Sequence, residues 1–169
     1  MKMTFKSILI SCVIATLFCL NGCYSFTGAS IDPKVKTVSV ALFPNYAPIA
    51  QVTVSQKFTE ALKDVFISQT NLTLVRESGD LRFEGAITRY EAVPLAIQGN
   101  EVAAQTRLNM TVNVKFTNTV DETQSFERSF TQFEDFSSTE NLSAVEDQLI
   151  ESINEKLTQD IFNASVSNW

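Results

Sequence analysis

The sequence contains no histidine, which excludes imidazole-based triads and dyads and every zinc site that needs a histidine ligand. Basic residues are also in the minority. The 13 Lys and Arg face 19 Asp and Glu, for a net charge of −6, and a nucleic-acid binder needs the opposite balance to neutralise phosphates. Glycine is scarce: Gly22, Gly28, Gly79, Gly85 and Gly99 stand apart, so no loop can cradle a phosphate through clustered glycine amides. The cysteines, Cys12, Cys19 and Cys23, all fall near the start, which leaves no metal-spaced cluster in the body of the chain. Repeats and low-complexity tracts are lacking too. What remains is a chain of 169 residues, 44% hydrophobic and 19% charged, long enough to bury roughly 70% of its unfolded surface in a single domain.

The first segment is of a different kind. Lys2 and Lys6 precede an apolar run from Ile8 to Leu20 broken only by Ser11 and Thr16, and Leu20-Asn21-Gly22-Cys23 follows. This is the pattern of a signal peptide. The run is short of the ~20 apolar residues a membrane-spanning helix needs. Leu-Asn-Gly-Cys resembles the bacterial lipobox, in which Cys23 would be acylated and become the first residue of the mature chain. Lys2 and Lys6 then leave with residues 1–22, so 11 basic residues remain against 19 acidic ones. Such a domain is not drawn electrostatically to anionic lipid, and attachment falls to acyl chains at about 0.8 kcal/mol per buried CH₂. Residues 23–33 are small, polar and aperiodic, a tether of at most about 35 Å. Residues 34–169 form the expected domain.

Hydrophobic periodicity sketches that domain. Val38, Val40 and Leu42 alternate with Thr37, Ser39 and Ala41, a strand that Pro44 ends. Phe58, Ala61, Leu62, Val65 and Phe66 make a helical stripe, with Thr53 and Gln56 as a capping box and Asn71 as the stop. Leu72 to Val75 is a short strand, followed by a turn over Glu77 to Asp80. Leu81, Phe83 and Ile87 alternate with Arg82, Glu84 and Thr88, and Gly85 marks a bulge. Leu108, Met110, Val112, Val114 and Phe116 alternate strictly with Arg107, Asn109, Thr111, Asn113 and Lys115. Phe126 and Phe130 belong to a last strand in which Arg128 fits the buried face poorly and signals a bulge or an end. Ser143 and Glu146 cap a final helix whose stripe runs from Leu142 through Ile150, Ile153 and Leu157 to Ile161. The expected fold is α+β, two helices packed on one face of a mainly antiparallel four-stranded sheet.

Chemistry is sparse on this scaffold. The pairs Asp121–Glu122, Glu134–Asp135 and Glu146–Asp147 could supply glycosidase carboxylates, but adjacent residues seldom face one another across a substrate, and turns or a helix start suggest solvated side chains. Four Asn-x-Ser/Thr sequons carry no meaning in a bacterial lipoprotein. The 13 phenylalanines read chiefly as core, and no residue set calls for a cofactor or a metal. Thr37, Ser39, Arg82, Glu84, Thr88, Arg107, Asn109, Thr111, Asn113 and Lys115 share the sheet face away from the helices by alternation, whereas the parity of Arg89 points it inward.

Gly22-Cys23-Tyr24-Ser25-Phe26-Thr27-Gly28-Ala29-Ser30, Leu42-Phe43-Pro44-Asn45, Phe58-Thr59-Glu60-Ala61-Leu62, Gly79-Asp80-Leu81, Glu84-Gly85, Gly99-Asn100-Glu101 and Phe162-Asn163-Ala164, in that order, resemble the lipopolysaccharide-assembly lipoprotein family LptE. The likeness is to the branch with Tyr after the lipidated Cys. It implies a non-enzymatic outer-membrane lipoprotein on the periplasmic side that plugs the β-barrel LptD in a 1:1 complex and supports lipopolysaccharide insertion. Lipopolysaccharide phosphates would meet Arg82, Arg107 and Lys115, since basic side chains are implicated in the family. The barrel lumen, which is polar, would meet Thr111 and Asn113. A periplasmic adaptor of another secretion or transport complex would share the opening pattern, and an envelope hydrolase would need a carboxylate cluster that this sequence does not assemble.

Overall fold

The computed structural model describes residues 31–48, 51–95 and 105–166. The signal peptide, Cys23 and most of the tether lie outside the described residues. Five strands, β1 (Thr37–Val40), β2 (Thr73–Val75), β3 (Leu81–Pro94), β4 (Gln105–Asn118) and β5 (Phe126–Ser137), form one sheet in the order β2-β1-β3-β4-β5. Helices α1 (Val54–Gln69) and α2 (Leu142–Val166) complete the fold. β1 runs parallel to both β2 and β3, while β3, β4 and β5 are antiparallel neighbours. The expected four-stranded, mainly antiparallel sheet is therefore a five-stranded mixed one. A five-residue link looks like a hairpin in sequence, yet β2 ends beside Ser39 and β3 begins beside Val38 on the other side of β1. Residues 76–80 must cross over β1 to connect them.

That crossing explains two small residues. A Cβ on Gly79 would lie 2.6 Å from the Ser39 nitrogen, so only glycine lets the link pass so close to the strand. The Gly79 N–H donates to Ser39 Oγ at 3.2 Å. Ser39 is thus buried, a correction to its expected place on an open face. Asp80 secures the crossing: its carboxylate accepts from the backbone N–H groups of Lys36 and Thr37 and from the Thr37 hydroxyl, all at 2.9 Å.

The core lies between the sheet and the helices. Phe58, Leu62 and Phe66 of α1 and Ile150, Ile153, Leu157 and Ile161 of α2 are fully buried, as are Phe83, Ile87, Met110, Val112 and Val114 beneath them. Phe66 stacks on Phe83 at 4.7 Å and on Phe162 at 5.2 Å, and Phe83 on Phe116 at 4.9 Å, contacts each worth about 0.5–1.5 kcal/mol beyond area burial. Of the phenylalanines in the described residues, Phe133 is the exposed one.

The helix ends depart from both expected capping boxes. Thr53 is already helical and its side chain caps nothing, its hydroxyl turning to Gln51. Thr70, one residue before the expected stop at Asn71, ends α1 by donating its hydroxyl to the Phe66 carbonyl at 2.6 Å and accepting the Leu72 N–H at 3.1 Å. Asn141, not Ser143, caps α2: its Oδ1 accepts the Ser143 N–H at 3.0 Å. Glu146 is freed for an interior role.

Gly85 is not the bulge. Register slips between Ile87 and Arg89, which makes Thr88 the extra residue, and Gly85 instead answers a close approach. A Cβ there would collide with the Asn113 carbonyl and lie 2.7 Å from the Phe43 ring. Nor does β5 break at Arg128, whose guanidinium lies over the rings of Phe126 and Phe130 at 4.9 and 4.6 Å. The strand continues to Ser137 because its inward polar residues meet α2: Gln132 donates to Asp160 at 2.6 Å, and Glu134 accepts from Lys156 at 2.6 Å and from Ser152. Substituting Gly85→Ala should lower unfolding stability by about 1–3 kcal/mol in urea titration, and an unchanged midpoint would contradict the close contact.

Candidate functional site

With both helices on one face, the other face of β3, β4 and β5 carries the residues that alternation turns away from the core. Arg82 pairs with Thr117, Glu84 with Lys115 and Ala86 with Asn113. Beyond Thr88 the inserted residue reverses parity, so Arg89 sits opposite Thr111, Glu91 opposite Asn109 and Val93 opposite Arg107. Arg89, expected to face inward, therefore belongs to the outer face. It approaches Glu91 at 3.7 Å. β5 adds Ser129 opposite Asn113, Thr131 opposite Thr111 and Asp135 opposite Arg107.

One of the two central positions, Thr111, is tied into hydrogen bonds. Thr111 and Thr131 share a hydroxyl–hydroxyl bond of 2.9 Å, and the Thr111 carbonyl accepts from the Thr88 hydroxyl at 3.3 Å. Thr111 and Asn113 are half-buried in the middle strand.

The three expected basic residues stand in different surroundings. Arg82 is exposed and donates Nε to the Gly79 carbonyl at 3.0 Å. Lys115 is exposed between Glu84 and Glu127 of the neighbouring strands. Arg107 is committed within the fold: its Nε and terminal nitrogen reach the two Asp135 oxygens at 2.7 and 2.8 Å, and its guanidinium lies 3.6 Å from the centre of the Phe133 ring. This fork also holds the Asp135 carboxyl below the usual carboxylate range. The three do not form one cluster. Arg82 lies near the start of β3, and Arg107 lies beside its far end.

The carboxylate pairs divide in the same way. Asp121 does lie at a turn, where the Thr123 hydroxyl and N–H lower its pKa. Glu134 and Asp135 are in a strand, facing opposite sides. Glu146 is buried rather than solvated, accepting from the Tyr90 hydroxyl and from Gln51, both at 2.6 Å. Burial, then the bond to Glu146, pushes the Tyr90 hydroxyl pKa up. Among the described residues no three potential ligands are grouped to hold a metal ion, and no helix is long and apolar enough to cross a membrane.

The family model for lipopolysaccharide assembly, LptE, matches residues 35–165. The chain belongs to the LptE family. It is thus a lipopolysaccharide-assembly lipoprotein by membership, in a family that is not enzymatic. A minor lipoprotein of Acinetobacter baumannii has a similar structure, at 15% identity and a TM-score of 0.51, over 77% of this chain and 91% of that one. A Xanthomonas campestris protein is similar at 11% identity and a TM-score of 0.54, over 82% and 90%. One from Chlamydia trachomatis follows at 8% identity and a TM-score of 0.52, over 79% and 99%. At these identities the likeness is one of fold. No curated protein matches the chain in sequence.

For this LptE-family domain, sequence reasoning missed Arg89, Glu91 and Val93 beyond the bulge and the whole β5 contribution to the outer face, Ser129, Thr131, Phe133 and Asp135. The signal for Arg89 was present in outline, since Thr88-Arg89 breaks the alternation between Ile87 and Tyr90. Phe133 was hidden among residues that read as core.

Four carboxylates, Asp80, Asp121, Glu134 and Asp135, titrate below their ordinary values of 3.8 for Asp and 4.5 for Glu. Hydrogen bonds from the Lys36 N–H, the Thr123 hydroxyl, the Lys156 ammonium and the Arg107 guanidinium respectively are the chief causes. A group depressed on folding adds stability that is full above its unfolded pKa and is lost as pH falls through its folded one. The melting temperature should hold down to about pH 5 and fall below about pH 4. Asp135→Asn should shallow that fall; an identical acid profile would show that the fork does not hold the carboxylate charged.

Proposed function

We propose that this LptE-family chain is an outer-membrane lipoprotein, anchored on the periplasmic side by acyl chains on Cys23. Residues 1–22 serve as its signal peptide, residues 23–33 as its tether and residues 34–169 as its working domain. It seats the outer face of β3–β5 against the lumen of the β-barrel LptD in a 1:1 complex and so supports lipopolysaccharide insertion. The observation that carries this reading is the polar sheet face, with Asn109, Thr111, Asn113 and Thr131 along its middle and both helices on the opposite side. A barrel interior is polar, and such a face would meet it through hydrogen bonds and shape rather than apolar area. The tether, at most about 35 Å long, keeps the domain within reach of a barrel in the same membrane.

Lipopolysaccharide phosphates would be met on this face by Arg82, Arg107 and Lys115, with Arg89 added by the bulge. Arg82 and Lys115 are exposed, whereas Arg107 would have to exchange Asp135 for phosphate. Guanidinium forks suit that geometry.

Photocrosslinkers at Thr111 and Asn113 should trap the barrel in cells, and one at Ile67, exposed on α1, should not. Trapping of the barrel from Ile67 alone would reverse the orientation. Trapping of soluble or inner-membrane proteins from Thr111 would favour an adaptor of another transport complex.

A further inference from the structure

The sheet and the core account for one side of each helix. On the other side α1 and α2 frame a groove of about 600 Å³. Ala61 and Val65 of α1 and Asn154 and Thr158 of α2 contribute uncharged lining, and its walls are acidic. α2 supplies Asp147, Glu151 and Glu155, which recur at four-residue spacing and so stack along one side for about 12 Å. Glu60 and Asp64 face them from α1 with the same spacing.

Five carboxylates meet one cation in this lining, Lys57, and that cation is paired with Asp147 at 2.7 Å. Glu60 is paired with Lys63 at 2.9 Å. The side chains of Asp64, Glu151 and Glu155 enter no ion pair among the described residues. Like charges at i, i+4 weaken a helix, so the row on α2 works against the helix that carries it. Only Asp147 of that row is offset by an ion pair among the described residues.

A second feature is independent of the charges. Asn154 is 4% exposed and its Oδ1 has no hydrogen-bond partner. It is the one buried side-chain polar atom among the described residues in that position. An acceptor left without a donor is costly in the interior, and Asn154 is one of the residues that line the groove.

We propose that this groove docks a Lys- or Arg-bearing segment of another polypeptide, its cations lying between the two acidic walls and one N–H donating to Asn154. This goes beyond the barrel reading, because it concerns the face turned away from the sheet. The sign of the charge excludes an anionic lipid, and the carboxylates are not grouped as a metal site among the described residues. The length of the acidic row suits several side chains of one segment rather than a single small cation.

The test uses the full-length protein in detergent and a labelled 12-residue helix-forming peptide with Arg at every fourth position. Anisotropy should report saturable binding that weakens between about 50 and 300 mM NaCl. Combining Asp64→Asn, Glu151→Gln and Glu155→Gln should weaken binding about tenfold without lowering the melting temperature. Neutralising Glu77, Glu84 and Glu127, three carboxylates elsewhere, should change it by less than about twofold. Asn154→Leu should weaken binding several-fold and leave the melting temperature level or raised, because no interior partner is lost. The proposal is overturned by absence of binding, by equal losses in the two charge-neutralised variants, or by spermine binding as tightly as the peptide. It is also overturned by sedimentation showing that the groove variants abolish self-association, which would make a second copy the occupant, or by an Asn154→Leu variant that binds normally.

Discussion

A run of aromatic rings holds the two layers together. Phe162 of α2 touches Phe66 of α1, Phe66 touches Phe83 of β3, and Phe83 passes contact through Phe116 of β4 to Phe126 of β5, each step between 4.7 and 5.2 Å. Phe66 is fully buried and meets both the sheet and the second helix, so it binds both helices to the same face. Once that face is filled, strand alternation sends every second residue of β3, β4 and β5 to the other side. The polar outer surface follows from the aromatic inner one.

This division was legible where one period ran unbroken. β4 alternates without exception from Arg107 to Phe116, and α1 shows a clean helical stripe, so both elements and their faces could be read directly. The crossing of residues 76–80 could not, because its determinant is a long-range contact: Gly79 lying on the backbone of Ser39. The bulge at Thr88 changed the outward set downstream of it and brought Arg89 to the surface. The misfit of Arg128 on the buried face read as a bulge or an end of β5, yet the strand runs on because α2 supplies Asp160, Ser152 and Lys156 to satisfy Gln132 and Glu134. Glu146 misled for the same reason, its partners Tyr90 and Gln51 lying far away in sequence.

The short motifs that carried the family resemblance fall largely at joints. Gly79-Asp80-Leu81 makes the crossing and its clasp onto Thr37, Glu84-Gly85 the close approach of β3 to β4 and Phe43, and Phe58 to Leu62 the buried side of α1. Phe43 itself is pinned by Thr59, whose hydroxyl accepts its N–H at 3.1 Å. These residues specify the scaffold. The surfaces offered to partners are built from ordinary Thr, Asn, Arg and Glu residues, which is why fold was easier to read than site. Charge is sorted between those surfaces, mixed and hydrogen-bonded on the sheet, predominantly acidic between the helices.

The most direct measurement is the native mass of whatever leaves the membrane with this chain under mild detergent extraction. One copy of the lipoprotein with one outer-membrane barrel is expected. A lone lipoprotein, or one released with inner-membrane transport components and no barrel, would contradict the central claim that the open sheet face is a barrel-docking surface.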